Sequence, residues 1–225
     1  MVSEMAVHEH EPVSGEGVFE QYEDLGQQRE SYVVGMWTFL VTEVMFFGAL
    51  FLAYALYRWQ YQPAFYEVHK KLNVWMGGTN TVVLLFSSFT MALGVHFAML
   101  KKRKQQLISL SITLLCAFTF LVIKYFEYKE KIDHHLLPGS NFQWHDSWVP
   151  ANVAQLFFVL YFFMTGLHGI HVVAGILVIG TLMYMTWRKY PQVEDYIPTE
   201  MVGLYWHFVD LVWIFLFPLY YLIPR

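Results

Sequence analysis

Charge is what this sequence has least of. Asp, Glu, Lys and Arg make up only 14% of its 225 residues, against about a quarter in an average globular chain. So little charge, with a formal net of −4, excludes a basic nucleic-acid-binding face, and no nucleic-acid partner is expected. Cysteine is nearly missing as well. Cys116 alone rules out an intrachain disulfide framework and leaves too few thiolates for an iron–sulfur or Cys-rich zinc site. Also absent are a Walker loop, a nucleophile elbow, a Cys-x-x-Cys-His haem attachment and a His set sufficient for a haem–copper centre. These absences argue against a self-contained redox enzyme, so no catalytic residue and no metal ligand are assigned.

In place of charge there is apolar and aromatic bulk: 56% of residues are hydrophobic and 19% are Phe, Tyr or Trp. That composition belongs to a membrane protein. A bilayer core of roughly 30 Å needs about 20 apolar residues per helix. Five segments reach that length, near 32–57, 73–100, 106–126, 150–187 and 202–223. The expected fold is an all-α bundle of five transmembrane helices. The fourth segment is read as one long helix, because two crossings would leave no turn between them and no Pro occurs from Ala151 to Tyr190. Its Gly166, Gly169, Gly175 and Gly180 are expected to face neighbouring helices.

Residues 1–31 form the other predicted region, a flexible acidic tail ahead of a membrane domain over 32–225. Eight acids stand against Arg29 alone in residues 1–30, a run too polar to fold by burial. With Glu4, His8 and His10 in place of a basic start and an apolar run, it is no signal peptide. Five spans put the termini on opposite sides. The short Lys101-Lys102-Arg103-Lys104 turn then favours a cytoplasmic N-terminus and an outside C-terminus.

Polar groups within the spans are costly and each requires a reason. Glu43 lies mid-span with no basic residue within two turns on its own helix; alone in hydrocarbon it would keep its proton. It reads as a proton-labile group, as a lipid or inter-subunit contact, or as a neutral carboxyl hydrogen-bonded across a helix interface. His168 and His171 share a helix face at i, i+3, which suits interhelical hydrogen bonds or, with ligands from another helix, a metal. His207 and Asp210, at the same spacing, are expected to pair with each other. Asn80, Thr81 and Glu127 read as packing or interface groups, and Lys124 as a side chain that snorkels to the membrane surface.

Three ordered stretches, Trp37–Phe47 (WTFLVTEVMFF), Phe163–Ala174 (FMTGLHGIHVVA) and Tyr205–Phe215 (YWHFVDLVWIF), closely resemble subunit III of haem–copper terminal oxidases. Asn80-Thr81-Val82-Val83-Leu84-Leu85 and Glu127-Tyr128 look like that family's two intervening helices. The similarity runs from about Val33 to Leu222. It implies a cofactor-free accessory subunit of a proton-pumping cytochrome c oxidase in a bacterial inner membrane, stabilising subunit I and supporting proton uptake. Haem and copper are then expected in partner subunits, and phospholipids as further partners. On that analogy Glu43 looks like the family's buried glutamate, and His168, His171, His207 and Asp210 like its intersubunit-facing or intra-bundle polar positions. Many members have two further helices and a lipid cleft that this chain lacks; shorter ones resemble subunits of quinol oxidases and partners of nitric oxide reductase. The electron donor is carried by another subunit, so both donors stay open. A membrane electron carrier with haem or metal on His168 and His171 is the competing reading.

Overall fold

The computed structural model describes residues 22, 25–139, 142–144, 148–193 and 195–223. Five of its helices are long and apolar enough to cross a membrane. These are α1 (Leu25–Gln60), α3 (Val74–Met99), α4 (Arg103–Asp133), α5 (Ala151–Arg188) and α6 (Ile197–Tyr221). A short helix, α2 (Gln62–Val68), and a 3-10 turn at His69–Lys71 join α1 to α3. The expected all-α five-span bundle is what forms, and the fourth span is one unbroken 38-residue helix.

Several helices overrun the apolar segments that announce them. Most of the predicted tail lies outside the described residues, but helix is already present at Leu25, seven residues ahead of the expected span. Gln27, Gln28, Arg29 and Glu30 are good helix formers, and Arg29 Nε meets Asp195 Oδ2 at 2.9 Å, tying this first turn to the connection before α6. Hydropathy marks only the part of a helix that lies in lipid. Elsewhere the ends follow local chemistry. Asn73 caps α3 by accepting from the amides of Trp75 and Met76 at 3.1 and 3.3 Å. Pro150 precedes α5, and Lys189 closes it in a left-handed conformation at φ 63°.

In lipid the bundle gains little from apolar burial, so close packing and interhelical hydrogen bonds hold it together. Helix α6 is central, with α3, α5 and α1 packed on it, and α4 lies against α3 and α5. Trp206 donates to Ser87 and Trp213 to Thr81, both at 3.1 Å, and Thr90 meets Thr113 at 2.8 Å. Gly175 lets α5 approach α6 closely: a Cβ there would lie 2.6 Å from the Trp206 ring. Among the other glycines of α5 the expectation holds for Gly166 alone, where a Cβ would lie 3.8 Å from the Tyr128 hydroxyl of α4. Gly169 and Gly180 have nothing within 4 Å and face out of the bundle.

Candidate functional site

Two polar centres sit within the spans. The first joins α1 to α5. Glu43 Oε2 lies 3.2 Å from His171 Nε2, and His171 Nδ1 lies 2.9 Å from the Leu167 carbonyl oxygen. With Nδ1–H donating to that carbonyl, Nε2 faces the carboxyl, and a hydrogen bond between them places its hydrogen on one group or the other. Both side chains are partly exposed, at 19% and 16%, so the pair opens on the outside of the bundle. Phe47 packs edge-on against the imidazole at 5.3 Å, and Tyr205 OH donates to the His171 carbonyl at 2.9 Å. Glu43 is therefore not alone; its partner comes from a different helix.

The second centre is sealed. Lys124 Nζ is 2.9 Å from Glu127 Oε2 and 2.9 Å from the Tyr221 hydroxyl, which itself donates to Glu127 Oε1 at 2.5 Å. Tyr161 OH completes the cluster 3.2 Å from Tyr221 OH, and the Trp213 ring lies 4.5 Å from the ammonium. The Lys124 side chain is 9% exposed and that of Glu127 0%, so Lys124 does not snorkel. The carboxylate, the phenol and the aromatic face inside the bundle give the ammonium partners in place of water. Its i, i+3 spacing from Glu127 was the sequence signal for this pair.

The remaining predicted positions separate. Residues three apart on a helix differ by about 60° in direction, and α5 uses that difference. His171 points out to Glu43, while His168 is fully buried with ring contacts to Phe120 and Trp213 at 5.5 and 5.4 Å. Neither ring nitrogen of His168 has a partner among the described residues, so the expected interhelical bond forms for His171 alone. The direct His207–Asp210 pair does not form. His207 Nδ1 instead meets Ser88 Oγ of α3 at 2.7 Å. That hydroxyl also faces Asp210, whose own oxygens make no hydrogen bond among the described residues. Ser88 reaches His207 from a neighbouring helix, a placement no spacing along α6 reveals. Asn80 is likewise buried with an unpartnered amide. Among the described residues no three His, Cys, Asp or Glu side chains converge as a metal site requires, and His168 and His171 address different neighbours.

The fold and these helix-to-helix polar ties define an integral membrane bundle. More particularly, the chain belongs to the cytochrome c oxidase subunit III family, whose model matches residues 7–223. It is 32% identical to cytochrome c oxidase subunit 3 of Thermostichus vulcanus over 86% of this chain and 88% of that protein. It is 28% identical to a cytochrome bo(3) ubiquinol oxidase subunit 3 of Pseudomonas aeruginosa over 84% of each chain. A heme-copper oxidase subunit I+III of Aeropyrum pernix matches at 34% over 84% of this chain, which spans only 22% of that protein's length. The chain is thus a subunit III of a respiratory haem–copper oxidase complex, associated with the other oxidase subunits.

Proposed function

We propose that this chain is a supporting subunit, without cofactor of its own, of a proton-pumping cytochrome c oxidase in a bacterial inner membrane. It stabilises subunit I, with its N-terminus cytoplasmic and its C-terminus outside. The observation that carries this reading is the family match over almost the whole chain. The Aeropyrum protein, named as subunits I and III together, supports direct contact with subunit I. In the same reading the Glu43–His171 pair assists proton uptake, because a carboxyl and an imidazole in contact at the edge of the bundle are both groups that can relay a proton. Phospholipid is a further partner. An apolar groove of about 360 Å³ beside Leu177, Leu182, Met185 and Val202 suits an acyl chain.

Purification of an affinity-tagged copy tests the assignment. It is expected to bring down a haem- and copper-containing subunit I together with cytochrome c oxidation activity; recovery of the chain without haem would sink it. A cytoplasm-only reporter fused after Arg225 is expected to be inactive. The quinol oxidase reading has its own support in relatives such as the probable quinol oxidase subunit 3 of Staphylococcus saprophyticus, 29% identical over 88% of its length. Quinol oxidation without cytochrome c oxidation in the purified complex would select it.

A further inference from the structure

The end of the bundle that carries the Lys101–Lys104 turn encloses a cavity of about 370 Å³ among the C-terminus of α3, the start of α4 and the C-terminus of α5. Three cations line it, Lys101, Arg103 and Lys189, and none of them forms an ion pair among the described residues. The single acid in the lining among the described residues, Asp195, is already held by Arg29. Helix α4 starts here with Lys102 as its N-cap, which supplies no side-chain acceptor, so the positive end of a 31-residue helix adds to the local field.

Thr186 is the independent sign of a ligand. It lines the cavity and is 4% exposed, yet its hydroxyl has no partner among the described residues. A threonine inside a helix ordinarily returns its hydroxyl to the carbonyl one turn earlier, as Thr165 and Thr181 do on this same helix. Gln106, by contrast, is fixed as wall, its amide donating to Thr199 at 3.1 Å.

We propose that this cavity binds a phosphate group. Donors arrive from three helix ends with more than one positive charge among them. A tetrahedral, multiply acceptor-bearing anion can meet them from several sides, whereas a planar carboxylate or a halide engages only some. The phosphate belongs either to a lipid headgroup, for which the neighbouring apolar groove shares Val193, or to a soluble phosphate compound.

The test uses the intact oxidase complex, wild type and Arg103→Gln/Lys189→Gln, with Lys104→Gln as a control outside the cavity. Phospholipid phosphorus is counted after exhaustive detergent washing, and inorganic pyrophosphate binding is measured by calorimetry. Loss of one retained phospholipid in the double variant alone identifies a headgroup. Unchanged lipid with pyrophosphate affinity at least about tenfold weaker identifies a soluble phosphate, as expected when charge-assisted bonds are removed. Thr186→Val, which keeps shape, is expected to weaken whichever ligand binds by a few-fold. Subunit retention in all variants confirms folding. If neither lipid count nor pyrophosphate affinity responds, the proposal is wrong. It is equally wrong if pyrophosphate binds only after deletion of residues 1–21, since the acidic tail is then the occupant.

Discussion

Glu127 and Glu43 are both carried into membrane-spanning helices, and their surroundings differ in kind. Glu127 is wholly enclosed, one oxygen on an ammonium and the other on a phenol, with aromatic rings around the cluster. Glu43 has one partner, an imidazole, and both are partly open to the outside of the bundle. Burying a charge in lipid is tolerable only when the geometry is complete, and a complete cluster acts as a tie between helices. An incomplete, half-open pair holds its helix less firmly and leaves its polar atoms within reach of groups outside the bundle. The difference is reflected in the helices: α1, which bears Glu43, is the least buried span, whereas α4 is wrapped between α3 and α5.

The sharpest way to break this contrast is to remove one half of the sealed pair. Lys124→Met leaves Glu127 buried and uncompensated, with an expected loss of about 3–5 kcal/mol. Loss of the subunit from the complex on thermal challenge would register it. Adding Glu127→Leu is expected to recover much of that loss, since a fully apolar replacement restores no orphaned charge; no recovery would mean the pair does more than hold the helices. Next in size is Gly175→Ala, whose methyl cannot fit 2.6 Å from Trp206 without displacing α6. About 1–3 kcal/mol of destabilisation is expected, read as a lower melting temperature of the complex. Smaller in stability terms, Glu43→Gln is expected to keep the subunit in place and slow proton uptake, because Gln retains hydrogen bonding and cannot titrate. Unaltered uptake would move Glu43 to the side of Glu127, and Glu43→Ala should then loosen the subunit by leaving His171 unpaired. The smallest effect concerns the connection between α1 and α3, where burial pushes the His69 imidazole below its ordinary value. Its neutral form is the one the fold favours, so its contribution is present above about pH 6.5 and declines as pH falls through the folded value. Protection of the amides around residues 66–72, referred to the intrinsic exchange rate at each pH, should therefore fall toward pH 5.5.

The spans were legible because twenty consecutive apolar residues leave few other readings. The partners were legible only where both members share a helix or a motif. Lys124 and Glu127 share one, yet position near the end of an apolar run suggested solvent, when a phenol from α6 was waiting inside. Ser88 between His207 and Asp210, and His171 opposite Glu43, depend on how each helix is turned about its own axis. That rotation is set by bulk and small residues across the whole interface, such as Gly175 against Trp206. It leaves no trace in the spacing of the polar residues themselves.

Helix α5, at 38 residues without a proline, measures about 57 Å, well beyond the roughly 40–45 Å of a bilayer with its headgroups. It behaves as a mast stepped through the deck. A lean of about 5° sweeps one end of such a rod sideways by about 5 Å relative to the other. With no proline to act as a hinge, a displacement of α5 at one membrane surface would be matched by a movement of its other end at the opposite surface.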